Sequence, residues 1–316
     1  MNKNEVHAIK ANCTKIKEQS DPFQNTVGQP AILEEKLKII TYKVYEKKLQ
    51  DIWRYFQENN LKPILIKGWA AALNYPKPYM RRLGDYDLAI NPLEFERASS
   101  LQKKNQTGEV DLHNGLRKLD KTEWNYLYEN SILKKCGDTD IRVLKPEDHL
   151  RVLCVHWLAD GGREKEKLRD IYFAVKNRPA NFDWDGCLRI VGERRRKWII
   201  YTIGLTHRYY GLAIDDLAFA GEAKKVPDWM IKTLEKEWDN PIIFKYLHAS
   251  LGNWKEFYQQ LSRRFPPNPI QATVNLDGDF DGSTRIFYQI GDVFERFKPS
   301  ILRVADALYS QFRNRR

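Results

Sequence analysis

Asp85 and Asp87, two aspartates separated by one residue, are the side chains of this sequence best placed to do chemistry. They lie in Asp85-Tyr86-Asp87-Leu88-Ala89-Ile90, where polar and apolar residues alternate. On a strand, side chains two apart share a face, so Tyr86, Leu88 and Ile90 are expected in a core with both carboxylates opposite. Carboxylates held that close repel each other unless a cation sits between them. Oxygen ligands of this kind suit Mg²⁺, which takes one or two carboxylates together with substrate phosphates. Acidic pairs also occur on solvated strand edges, so the surrounding pattern decides. In Glu109-Val110-Asp111-Leu112-His113, Val110 and Leu112 alternate with Asp111. A third aspartate on an adjacent strand would complete a site for two divalent ions, which can clamp the attacking and leaving oxygens of an in-line phosphoryl displacement.

The elements that must position these residues are legible upstream. Pro63-Ile64-Leu65-Ile66 is a short apolar run suited to a buried strand. Lys67-Gly68 breaks it, and glycine lets the backbone turn sharply and approach a ligand. Trp69 to Tyr75 has helical composition until Pro76 and Pro78 end it. A long helix is predicted from Gln29-Pro30 to about Asn60, with Leu33, Leu37, Ile40, Val44, Ile52, Trp53 and Phe56 as one apolar face packing on the sheet. Residues 91–106 read as a helical connection and the stretch up to Val143 as further strands, with later helices expected over 188–201, 227–238, 241–264 and 286–312. Asp138 and Asp140 are expected in a hairpin rather than as ligands.

The order KG-x-A-A-A-L-x-Y, then R-x-x-G-D-x-D-L, then V-D-L-H resembles the nucleotidyltransferases of the DNA polymerase β superfamily, and most of all the bacterial uncharacterised nucleotidyltransferase family. That branch also carries a P-E-D-x-L-x-x-L-x-x-H helix, here Pro146 to His156. The resemblance spans about Ile32 to Lys176. It implies an α/β (α+β) catalytic domain with a small mixed sheet, placed over 29–145; from the residues themselves, 1–28 reads as a flexible leader and Pro146 opens an α-helical domain over 146–316. The resemblance further implies that Asp85, Asp87 and Asp111 bind two Mg²⁺ ions, with Mn²⁺ as a substitute, and that Asp111 helps deprotonate an acceptor hydroxyl. Gly68 and the turn would take the triphosphate of an NTP, with ATP the expected donor on abundance alone. Many relatives have Gly-Ser at the turn. Gly68-Trp69 here shifts the phosphate grip to backbone N–H groups, the helix N-terminus, Lys67 and Arg81. Asp170 matches an aspartate of the family's L-x-D-I segment; it could shape the nucleotide pocket, or pair with Arg169 or a nearby lysine. Three aspartates and a triphosphate bring together roughly seven negative charges, of which two Mg²⁺ neutralise four, so nearby cations are needed. Arg81 occupies the family's arginine position and is preferred over Arg82.

The chain has 316 residues, 42% hydrophobic, which suffices for two packed domains. No run of about 18 apolar residues marks a membrane helix. The polar N-terminus lacks a signal core, and cysteines 13, 136, 154 and 187 show no C-x-x-C spacing, so a cytoplasmic protein with reduced thiols is expected. The net charge of +11 invites a nucleic-acid partner, although enzymes with polyanionic substrates are often basic. Arg194-Arg195-Arg196-Lys197 is the densest basic run, a solvated surface by default and a tRNA or phosphate face as the sharper option. The Asp277–Gly282 stretch resembles a calcium loop without its twelfth-position Glu, that position being Tyr288. His149 and His156 are expected to be packing or capping residues. The acceptor is left open between a small molecule, a peptide or protein, and RNA as in tRNA-modifying toxins. A DxD glycosyltransferase and a non-catalytic nucleotide-binding scaffold also stand as alternatives.

Overall fold

The structure, a computed structural model, describes residues 29–105, 109–116, 119–239, 253–262 and 264–295. The leader expected over 1–28 lies outside the described residues, as do parts of the helices expected over 241–264 and 286–312. The chain divides into two compact units at Lys43/Val44. Of the first, the described part is the opening of helix α1 (Gln29–Glu58). Leu33, Leu37 and Ile40 are more than half exposed there. The second unit, Val44–Arg316, carries the sheet, the remaining helices and the cavity.

The single apolar face expected of α1 is two faces. Leu49, Ile52, Trp53 and Phe56 are buried, whereas Val44 continues the exposed set. At 3.6 residues per turn, the stripe centred on 33, 37, 40 and 44 lies roughly 135° around the helix from the one centred on 49, 52, 53 and 56. The helix stops at Asn60, whose φ is 55°. Leu61 N–H donates to Phe56 O and Asn60 N–H to Gln57 O, both at 2.9 Å. These paired bonds satisfy the last carbonyls and turn the chain straight into the sheet.

The sheet comprises β1 (Ile64–Leu65), β2 (Tyr86–Ile90), β3 (Val110–Asn114), β4 (Ile132–Cys136) and β5 (Thr139–Val143), in the order β3-β2-β1-β5-β4. β1 is central, antiparallel to β2 and parallel to β5, and Ile64, Leu65 and Ile66 are fully buried. β4 and β5 form the expected hairpin, with Asp138 pairing with Arg54 at 2.7 Å and Asp140 with Lys135 at 2.8 Å. Between β1 and β2 lies the short helix α2 (Trp69–Ala72). The parallel β2–β3 pair is joined by the crossover helix α3 (Phe95–Lys104).

Helix α4 (Trp124–Glu129) precedes the hairpin, and after Val143 the described residues are helix and loop. Helix α5 (Pro146–Ala159) begins with proline at its first position, where no backbone donor is lost, and ends at Gly161-Gly162, both at positive φ. Arg151 on α5 pairs with Asp120 at 2.8 Å and Asp148 at 2.6 Å, all three side chains at 1% exposure or less. One guanidinium thus bridges two buried carboxylates, with burial raising the pKa of Asp148, and the loop before α4 is fixed to α5. Helix α6 (Leu168–Lys176) follows. The single helix expected over 188–201 is two, α7 (Trp184–Arg189) and α8 (Gly192–Tyr210), broken where Gly192 takes φ 72°.

The acidic loop 277–282 has a use that its sequence did not declare. Asp277 bonds Arg195 at 3.0 Å and also pairs with Lys121, while its carbonyl accepts from Arg194 at 2.6 Å. Asp281 takes Lys197 at 2.6 Å, and Arg196 pairs with Glu222 at 2.8 Å. Arg195, Arg196 and Lys197 of the basic run are therefore paired with carboxylates within the protein, and Arg194 with a backbone carbonyl. Phe280, between the two aspartates, is buried beside Trp198 and Trp229.

Candidate active site

The turn after β1 sets the geometry. Gly68 has φ 61° and ψ −116°, and a Cβ there would lie 2.9 Å from Tyr45 Oη. Both the conformation and the space require glycine. Tyr45 Oη also donates to the carbonyl of Asp85 at 3.0 Å, so α1 holds the turn and the entry to β2 together.

Parallel pairing places Asp87 opposite Asp111 and Ala89 opposite His113. Asp87, Asp111 and His113, two along from Asp111, therefore share one face of the sheet. One oxygen of each carboxylate and one ring nitrogen of His113 lie within 4.8 Å of one another. His113 Nε2 is 3.2 Å from Asp87 Oδ1 and 3.3 Å from Asp111 Oδ2. Two carboxylates and an imidazole are a donor set that fits a divalent cation. Asp85 precedes the strand and stands outside this group, exposed, with no side-chain partner among the described residues, yet it lines the same cavity. Alternation expects Asp85 and Asp87 together opposite the core, but their burial differs. Asp87 is buried while Asp85 and Asp111 are exposed.

The cavity encloses about 850 Å³, within the range of small-ligand sites. Its lining includes Lys67, Gly68, Arg81, Arg82, Asp85, Asp87 and Asp111 from the sheet domain, and His156, Asp160, Lys165, Lys167, Arg169 and Asp170 from the helical segment that follows. Lys67 Nζ lies 2.5 Å from Asp87 Oδ1 and donates to His156 Nε2 at 2.7 Å. His156 Nδ1 faces Asp160 at 3.5 Å. A line of polar contacts thus crosses the cavity from α5 to β3. Burial would raise the Asp87 pKa, but the His113 bond and the Lys67 charge outweigh it and hold the carboxyl down at about 2. Desolvation works against the charged form of His113, yet its bonds to Asp111 and Asp87 raise its pKa. Burial, then the Lys67 charge, depress His156 to about 4, which keeps it neutral and able to accept from lysine.

The other expected residues divide. Arg81 is engaged: its Nε and Nη2 each bond Asp170 at 2.8 Å, and Tyr75 Oη reaches the same carboxylate at 2.7 Å. Asp170 thus pairs with Arg81, not with Arg169 or a lysine. Arg82, ranked second on sequence, is exposed, lines the cavity and has no side-chain partner among the described residues. Trp69 is buried with its Nε1 donating to Glu46 at 3.1 Å, and it stands outside the cavity lining. Helix α2 spans four residues, too short for a helix dipole to carry the phosphate grip. His113 escaped the sequence reading, although the two-residue period that placed Asp111 also places it. His156 is more than packing.

The model of the uncharacterised nucleotidyltransferase family matches residues 35–211. The chain belongs to that family. This nucleotidyltransferase is therefore an enzyme that transfers a phosphorus-containing group, an NMP drawn from an NTP. The family match runs from α1 through α8, further into the helices than the motifs alone reach. No curated protein and no solved structure matches the chain. Among the described residues of this nucleotidyltransferase no helix is long and apolar enough to cross a membrane.

Proposed function

We propose that this nucleotidyltransferase moves AMP from ATP to a hydroxyl of a small molecule or protein, in a divalent-metal-dependent reaction at the cavity beside β2 and β3. The observation that carries this reading is the Asp87–Asp111 register at the wall of a cavity that also holds the Gly68 turn. The acceptor oxygen forms a bond to the α-phosphorus, the bond to the β-phosphate oxygen breaks, and pyrophosphate leaves. Asp111, exposed at the cavity wall, takes the hydroxyl proton. Asp85, Asp87 and Asp111 would hold two divalent ions, Mg²⁺ or Mn²⁺, whose positive charge offsets the negative charge of the triphosphate. Lys67 and the backbone of the Gly68 turn orient the triphosphate. Arg82, whose side chain has no partner among the described residues, meets its outer oxygens in place of Arg81. Arg81 and Asp170 hold α6 against the loop before β2, so they shape the pocket wall rather than grip phosphate. Catalysis of this kind is positioning plus electrostatics.

A small-molecule or protein acceptor is favoured over RNA because Arg195, Arg196 and Lys197, of the four cations at 194–197, pair with carboxylates of the protein itself. Family membership takes the place of the glycosyltransferase reading. Cys136, Cys154 and Cys187 are buried, with no disulfide among the described residues. The test is incubation with each of four α-labelled NTPs, Mg²⁺ or Mn²⁺, and fractionated cell extract. Label entering a small molecule or protein supports the reading. Label in RNA moves the acceptor class, and no transfer from any NTP rejects the activity.

A further inference from the structure

The three carboxylates that the sequence groups together are not the three side chains that the fold brings closest. Asp85 stays outside, and an imidazole stands in the tight cluster instead. The separations about the His113 nitrogen fit ligands of one ion. Adjacent donors around an ion with bonds of about 2.1 Å lie roughly 3.0 Å apart in octahedral geometry and about 3.4 Å in tetrahedral. The His113 nitrogen lies 3.2 and 3.3 Å from the two oxygens. The imidazole also points one nitrogen, Nε2, at both carboxylates, where a structural histidine needs only one partner. The strand fixes this, since β3 pairing sets Asp111 and His113 two residues apart on the face that carries Asp87. The cavity wall is formed by Asp87 and Asp111 and not by His113, which suits the ring to anchoring an ion rather than touching substrate.

We propose that His113 is a direct ligand of the divalent ion, making a mixed two-carboxylate, one-imidazole centre that favours Mn²⁺ or a later first-row ion over Mg²⁺. The inference rests on the metal-dependent reading above and names the ion class that site takes. Its physical basis is donor softness. Imidazole binds first-row transition ions well, whereas Mg²⁺ demands oxygen ligands and keeps its waters. Asp85, with no side-chain partner among the described residues, remains available as an oxygen ligand at the cavity.

The test is spectroscopic and needs no turnover. Mn²⁺ is added to the full chain, and electron spin-echo envelope modulation is recorded for wild type, His113→Gln and, as a control, His156→Gln. The expected result is nitrogen coupling from a bound imidazole in wild type and His156→Gln that disappears in His113→Gln. Titration should show Mn²⁺ affinity falling at least about tenfold in His113→Gln while Mg²⁺ affinity changes much less, as direct ligand loss requires. Circular dichroism of His113→Gln checks its fold, and the wild-type spectrum stands alone if that variant does not fold. Absent nitrogen coupling in wild type, coupling that persists in His113→Gln, or equal loss for both ions overturns the proposal. If label transfer proceeds with no nitrogen coupling, this inference fails and the enzymatic reading stands. If coupling is present but no NTP donates label, the enzymatic reading fails and the metal centre stands.

Discussion

Lys67 Nζ lies 2.5 Å from Asp87 Oδ1, with the two side chains 10% and 5% exposed. A cation supplied by the glycine turn therefore compensates the most buried carboxylate of the site. Removing one partner of such a pair leaves the other charge buried, which costs about 3–5 kcal/mol. We expect Lys67→Met to unfold at markedly lower urea. Added Mn²⁺ should raise its melting temperature more than that of wild type, because the ion replaces the missing charge. Equal shifts in the two proteins would separate Lys67 from the metal site.

Asp85 and Asp87 should behave differently, although both sit in one D-x-D. Asp87→Asn leaves Lys67 and His113 without their anionic partner, so label transfer disappears and stability falls by about 3–5 kcal/mol, as for Lys67→Met. Asp85→Asn disturbs no side-chain contact among the described residues. Transfer should disappear there too, with the melting temperature within a degree or so of wild type. Full activity in Asp85→Asn would remove it from the site.

Arg81 and Asp170 form a two-pronged pair, 14% and 8% exposed for the side chains the bridge joins. We expect a double-mutant cycle of Arg81→Met and Asp170→Leu to give a coupling energy of about 2–3 kcal/mol, the double variant being far less destabilised than the sum of the singles. Additivity within about 0.5 kcal/mol would show that the pair is not a clamp.

His149 is buried on α5, facing the carbonyl of Ile66 on one side and the charges of Asp170 and Arg81 on the others. Burial pushes its pKa down to about 4, with the Arg81 charge acting in the same direction and Asp170 opposing it. Unfolded, the ring takes its proton near pH 6.5. Its contribution is therefore complete above that value and is lost as pH falls from about 6.5 towards 4, by up to about 3 kcal/mol. Denaturant midpoints should slope accordingly, and His149→Phe should flatten that part of the profile.

Asp277 ties Lys121 and Arg195 together. At 33% side-chain exposure the pairs are partly screened, so Asp277→Ala should cost about 1–2 kcal/mol, less at high salt. No calcium stabilisation is expected, since these oxygens already serve arginine and lysine.

Much of the site was legible because strand periodicity is arithmetic. Alternation at Asp87 and at Asp111 put each on a defined face, and Gly68 marked the turn that lets β1 pass close to β2. What escaped depends on partners distant in sequence. The choice between Arg81 and Arg82 turns on Asp170, 89 residues from Arg81, which no local pattern announces. His156 reads as a packing residue until Lys67 is seen beside it. The two stripes of α1 look like one only when the roughly 100° step per residue is not summed over the whole helix.

The acidic segment around Asp277 lies beyond residue 211, where the family match ends, yet it neutralises cations inside the matched region. A chain cut after 211 would lose these counter-charges, and Glu222 as well, uncovering guanidinium and ammonium groups that the intact protein keeps occupied. Such a fragment would cling to polyanions through a surface the whole molecule does not present, so affinity for nucleic acid measured on it would describe the cut rather than the enzyme.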